Sequence, residues 1–84
     1  MSTSYAIEIS IRSVDKAKQF VNITSKYSED IDLIDGRYVV DAKSIMGVFC
    51  LDLSKRSMVR IHTDDVNITN KFFGELDDAG FCIT

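Results

Sequence analysis

The groups in this chain able to do chemistry are a few serine hydroxyls, one imidazole, two thiols and scattered carboxylates, and their spacing decides what each can do. Ser13 precedes Val14-Asp15-Lys16-Ala17, and Ser44 precedes Ile45-Met46-Gly47-Val48. Both stand where a helix is about to begin. A serine there caps the helix by accepting a hydrogen bond from an unpaired backbone N–H, worth about 0.5–2 kcal/mol. Asp15 then falls in the first turn, where the helix dipole favours a negative charge. His62 is the single histidine, with no second histidine or nearby cysteine to complete a usual metal ligand set. Asp64-Asp65 reads as a turn and Asp77-Asp78 as a solvated helix face, and neither pair has calcium-loop spacing. Cys50 and Cys82 are too few and too far apart for a zinc cluster. Free thiols are expected from them, with a disulfide between the two left open. No metal and no cofactor is expected.

The elements that must position these groups follow from periodicity. Tyr5, Ile7, Ile9 and Ile11 alternate with Ala6, Glu8 and Ser10, which predicts a half-buried first strand. Ala17, Phe20, Val21 and Thr24 then recur at helical spacing, predicting a helix over 14–27. Ile31 and Leu33 lead into Asp35-Gly36, a dipeptide suited to a tight hairpin, and residues 37–40 lead out. A short helix of about two turns carries Ile45, Met46, Val48 and Phe49, with Gly47 allowing close packing or an unusual backbone angle. Residues 58–63 alternate again, sending Val59 and Ile61 to one side and Met58, Arg60 and His62 to the other. Ile68, Phe72, Phe73, Leu76 and Ala79 predict a last helix ending before Gly80. The order β-α-β-β-α-β-α implies a two-layer α+β domain with helices covering one face of a sheet.

The chain has 84 residues, enough for one small domain spanning 1–84 and burying about 60–65% of its unfolded surface. A hydrophobic fraction of 45% and a charged fraction of 27% fit a folded globular protein. Ten basic against thirteen acidic residues leave a net charge of −3, without the basic field a nucleic-acid binder needs. The N-terminal residues lack a signal-peptide pattern, and no segment has the roughly 20 apolar residues of a membrane span. A cytoplasmic location without membrane attachment is expected.

The run Lys43-Ser44-Ile45-Met46-Gly47-Val48 closely resembles the signature of the histidine-containing phosphocarrier (HPr) family of the bacterial sugar phosphotransferase system. Ser25-Lys26-Tyr27 with Asp30-Ile31 and Leu33, and Phe49-Cys50-Leu51, support the resemblance, which covers nearly the whole chain. It implies an open-faced β-sandwich in which three helices cover a four-stranded antiparallel sheet. Aligning back from Ser25-Lys26-Tyr27 without a gap puts Ser13 where the family has its phosphoacceptor histidine. Asp15 then replaces an arginine and Lys16 a proline. A phosphohistidine holds its phosphoryl group in a labile N–P bond suited to onward transfer, whereas a phosphoserine is a stable ester. Asp15 adds a negative charge where a cation would help hold phosphate. No catalytic residue is therefore expected, and the chain is expected not to be an enzyme.

Ser44 matches the serine that a dedicated kinase phosphorylates in many HPr proteins of Gram-positive bacteria, and a phosphate there would switch the charge of the adjoining surface. Ile45, Met46 and Phe49 match the apolar surface through which the family docks on enzyme I, sugar permease domains, the serine kinase and a transcriptional regulator. Val48 and Leu51 read as core. The expectation is a regulatory or protein-interaction module involved in carbon catabolite regulation, with a partner bound through the short helix. Two alternatives stand beside it: phosphate transfer through an unusual acceptor, Ser13 or His62, and an inert or self-associating scaffold.

Overall fold

A computed structural model of the chain describes residues 4–83, arranged as β1 (Ser4–Ser10), α1 (Val14–Thr24), β2 (Ile31–Asp35), β3 (Tyr38–Asp41), α2 (Ile45–Phe49), β4 (Arg56–His62) and α3 (Val66–Asp78). The strands form one antiparallel sheet in the order β1-β4-β2-β3. Ile9, Val59, Ile61, Ile31 and Leu33 are fully or almost fully buried on its covered face, as the period-two patterns require. Met58, Arg60 and His62 occupy the exposed positions of β4 between buried Ser57, Val59 and Ile61. Ala17, Phe20 and Thr24 of α1, Val48 of α2, and Thr69, Phe72 and Leu76 of α3 close the core. This is the expected α+β open-faced sandwich, with three helices and a four-stranded antiparallel sheet.

Several boundaries differ from the periodicity for local reasons. Helix α1 stops at Thr24 because Lys26 and Tyr27 bond to Ile23 and Thr24 in tighter i→i−3 turns, although Tyr27 remains buried. Buried Thr24 donates its hydroxyl to the Ala42 carbonyl at 2.8 Å, fastening the end of α1 to the approach to α2. Helix α2 has only five residues, shorter than two turns, since Cys50 already caps it. Strand β4 begins at Arg56, two residues earlier than alternation suggests, because Arg56 and Ser57 pair with Ser10 and Ile9.

Gly36 adopts φ 60 in the two-residue turn between Asp35 and Tyr38, a conformation that costs glycine little. Gly80, at φ 85, ends α3 in a Schellman motif: Phe81 N–H donates to Leu76 O at 2.9 Å and Gly80 N–H to Asp77 O at 3.0 Å. The tail beyond it was not foreseen. Phe81 is buried edge-on against Phe20, with centroids 5.7 Å apart, and Cys82 bridges to Ile9 at the edge of β1.

Candidate functional site

The start of α1 is built around Ser13. Its backbone is extended (φ −145, ψ 164), its hydroxyl accepts from Lys16 N–H at 3.1 Å, and its carbonyl accepts from Ala17 N–H at 2.9 Å. Ser13 is thus the N-cap. Arg12, just before it, has φ 77, the left-handed region that non-glycine residues rarely occupy. It is held there by its N–H on Leu53 O at 2.9 Å, with its Nε on Ser10 Oγ at 3.0 Å. The Leu53 bond ties the approach to α1 to the segment following α2.

Asp15 lies exposed in the first turn. The one lysine of that turn does not attend Ser13 with its charge. Lys16 Nζ donates to Ala79 O at 2.7 Å and lies 5.1 Å from the centroid of Phe81, so its ammonium stabilises the carbonyl end of α3. No sequence signal joined residues 16 and 79, because the contact depends on how α1 and α3 lie on the sheet.

The start of α2 repeats the cap with different company. Ser44 (φ −102, ψ 114) accepts from Gly47 N–H at 3.1 Å through its hydroxyl and from Val48 N–H at 2.9 Å through its carbonyl. Asp41 organises the approach, accepting from Lys43 N–H on its carboxylate at 2.9 Å and from Ser44 N–H on its carbonyl at 3.0 Å. The first turn of α2 holds no acidic residue. Gly47 serves close approach, not an unusual angle: a Cβ there would lie 3.4 Å from Val40 Cβ and 3.5 Å from Asp41 O. Among the docking candidates, Met46 is 71% exposed and Phe49 39% exposed, whereas Ile45 is half-buried and packs against the core. Val48 and Leu51 are buried, as their pattern indicates.

His62 sits on the open face of the sheet, with Nε2 2.7 Å from Asp32 Oδ2 and its backbone N–H on Asp30 O at 2.9 Å. These groups border a shallow cleft of about 360 Å³ with Asp41 and Lys43. The alternation of β2 and β4 contained the signal for this pair, since it places Asp32 and His62 on the same polar side. A second cleft of about 300 Å³ is lined by Lys26, Tyr27, Lys71 and Glu75. There Glu75 accepts from the Lys26 ammonium and the Tyr27 hydroxyl. The Lys26 bond, followed by that from Tyr27, holds the Glu75 carboxyl below its ordinary pKa. Burial, then the Glu75 bond, pushes the Tyr27 hydroxyl well above its own. Cys50 and Cys82 are free thiols, and burial with the Asp77 carboxylate raises the pKa of Cys82. Among the described residues no group of three or more histidine, cysteine or acidic side chains is placed to hold a metal ion. None of their helices is long and apolar enough to cross a membrane.

A family profile described as "PTS HPr component phosphorylation site" matches residues 13–70. No match is found among curated proteins. Among solved structures, the crystal structure of HPr-C-His from Thermoanaerobacter tengcongensis is similar, with a TM-score of 0.66 and 29% identity. That similarity covers 88% of this chain and 89% of the other. With a profile match over more than half of its length and the same sandwich of strands and helices, the chain belongs to the HPr family of the phosphotransferase system.

Proposed function

We propose that this chain is a non-enzymatic HPr-family protein that has lost histidine phosphotransfer and acts as a regulatory or protein-interaction module through α2. The observation that carries this reading is Ser13. The ungapped alignment puts it at the family's phosphoacceptor position, and its hydroxyl is engaged in capping α1 at 3.1 Å from Lys16 N–H. A serine ester there would not pass phosphate onward. Asp15 repels a phosphoryl group in the same turn, while the Lys16 ammonium is committed to Ala79 O.

Ser44 is the regulatory phosphorylation site in this reading. A phosphate on its oxygen would lie beside Lys43 and the first N–H groups of α2, with no acid in that turn to oppose it. Met46 and Phe49 supply the exposed apolar contact for a phosphotransferase-system protein, an HPr serine kinase or a transcriptional regulator. Modifying Ser44 would change the charge of that contact and so its choice of partner.

The test incubates the protein with phosphoenolpyruvate and enzyme I, and separately with ATP and an HPr serine kinase. Phosphate is then mapped by mass spectrometry under acid-preserving and base-preserving conditions. Acid-stable phosphate on Ser44 alone is expected. Acid-labile phosphate from phosphoenolpyruvate would overturn the reading. Its location on His62, where Asp32 already holds the ring, would establish a phosphocarrier with a displaced acceptor.

A further inference from the structure

The sheet has two edges, and they are finished differently. At β1, the tail after α3 bridges Ile9 through Cys82 and accepts Ser10 N–H on Phe81 O at 2.9 Å. Among the described residues no segment pairs with the outer edge of β3. That strand, Tyr38-Val39-Val40-Asp41, has no lysine, proline or bulge to discourage pairing, and Tyr38 and Val39 are 66% and 59% exposed.

The ladder fixes which backbone groups are available. Asp35 and Tyr38 flank the two-residue turn, so they and Leu33–Val40 are the hydrogen-bonded pairs, a rhythm continued by Ala42 N–H on Ile31 O at 2.9 Å. Val39 therefore points its N–H and C=O away from β2, toward the open edge. On the uncovered face Val39 is opposite Ile34, and Ile34 is opposite Met58, making an apolar row that ends at that edge. Arg37 and Asp41, of opposite charge and both exposed, stand two positions to either side of Val39.

We propose that β3 pairs antiparallel with β3 of a second copy of this chain, Val39 opposite Val39, in a reversible two-fold dimer with one continuous sheet. This register brings Arg37 of each copy, in the turn before the strand, near the Asp41 carboxylate of the other at both ends; the Asp41 carbonyl already accepts Ser44 N–H, so the backbone bonds across the seam are those of Val39. The charges complement each other because the interface is isologous. The Met58–Ile34–Val39 row runs on into its symmetry mate, and each Tyr38 meets the partner copy across the covered side, opposite Val40. The pairing does not rest on the proposed docking through α2. A four-residue strand makes a small interface, so the dissociation constant is on the order of 100 µM.

Sedimentation velocity from about 10 µM to about 1 mM spans that value. The expected result is a monomer at the low end and a rapidly exchanging dimer at the high end. Arg37→Glu and Asp41→Lys should each weaken association at least about tenfold by placing like charges opposite one another, and mixing the two variants should restore it to within about threefold. Asp41→Lys also removes the acceptor of Lys43 N–H, so its fold is checked by circular dichroism. Val39→Pro deletes an outward N–H that makes no bond to β2, and should abolish the dimer while leaving the sheet intact. A wild-type monomer at about 1 mM, a dimer insensitive to both Arg37→Glu and Val39→Pro, or a slowly exchanging strand-swapped dimer would each overturn the proposal.

Discussion

The starts of α1 and α2 use the same device in different electrostatic settings. Each has a serine N-cap whose hydroxyl accepts from the N–H three residues on, at 3.1 Å in both cases. At α1 the first turn carries Asp15, and its ammonium group, on Lys16, is fastened to the end of α3. At α2 the first turn carries no acid, the preceding residue is Lys43, and two apolar side chains face water beside the cap. A capping serine by itself therefore says little about phosphate. The two caps differ in the charges of the turn and in the surface next to it, and the proposed switch at Ser44 rests on that difference.

The most severe way to break the contrast is to place at α1 the histidine and arginine that the family resemblance implies there. Ser13→His with Asp15→Arg should accept acid-labile phosphate from phosphorylated enzyme I at least about 10²-fold faster than the wild type, measured by the same labelling assay. If this variant stays unlabelled, the barrier to labelling lies in docking and not in the active segment. Next in size is the anchor between helices. Lys16→Met loses a charge-assisted bond at 2.7 Å and the approach to Phe81, costing about 1–3 kcal/mol. At about 4–8 °C per kcal/mol for a domain of this size, calorimetry should show Tm falling by roughly 5–20 °C, with no gain of phosphorylation at Ser13. The smallest stability effects sharpen the comparison. Ser13→Ala and Ser44→Ala should each cost about 1 kcal/mol in denaturant melts, yet only Ser44→Ala should abolish ATP-dependent phosphorylation.

The fold was legible because its signals are local. Alternation in β1 and β4, the stripes of α1 and α3, and Asp35-Gly36 give the element order directly, and Val48 and Leu51 are buried as their pattern implies. Both serine caps could be read from residue type and position. What could not be read depends on how elements lie on one another. Lys16 reaching Ala79, Phe81 folding back against Phe20, and the left-handed Arg12 held by Leu53 all depend on contacts between segments far apart in the chain. The three residues expected to dock show the same division: the sequence placed Ile45, Met46 and Phe49 together on α2, while packing decided that Ile45 turns toward the core.

The pairing of β1 with β4 has a consequence in time. Ser10 meets Arg56 and Ser4 meets His62, so the first strand finds its neighbour about fifty residues later in the chain. At about 5–20 residues per second, synthesis leaves β1 without that neighbour for several seconds, its apolar side open to solvent and to other nascent chains. The hairpin of β2 and β3 closes over a two-residue turn and can form early. Joining β1 to β4 then carries the larger loop-closure cost, which the separation of the two strands along the chain, and not the strength of any one contact, sets.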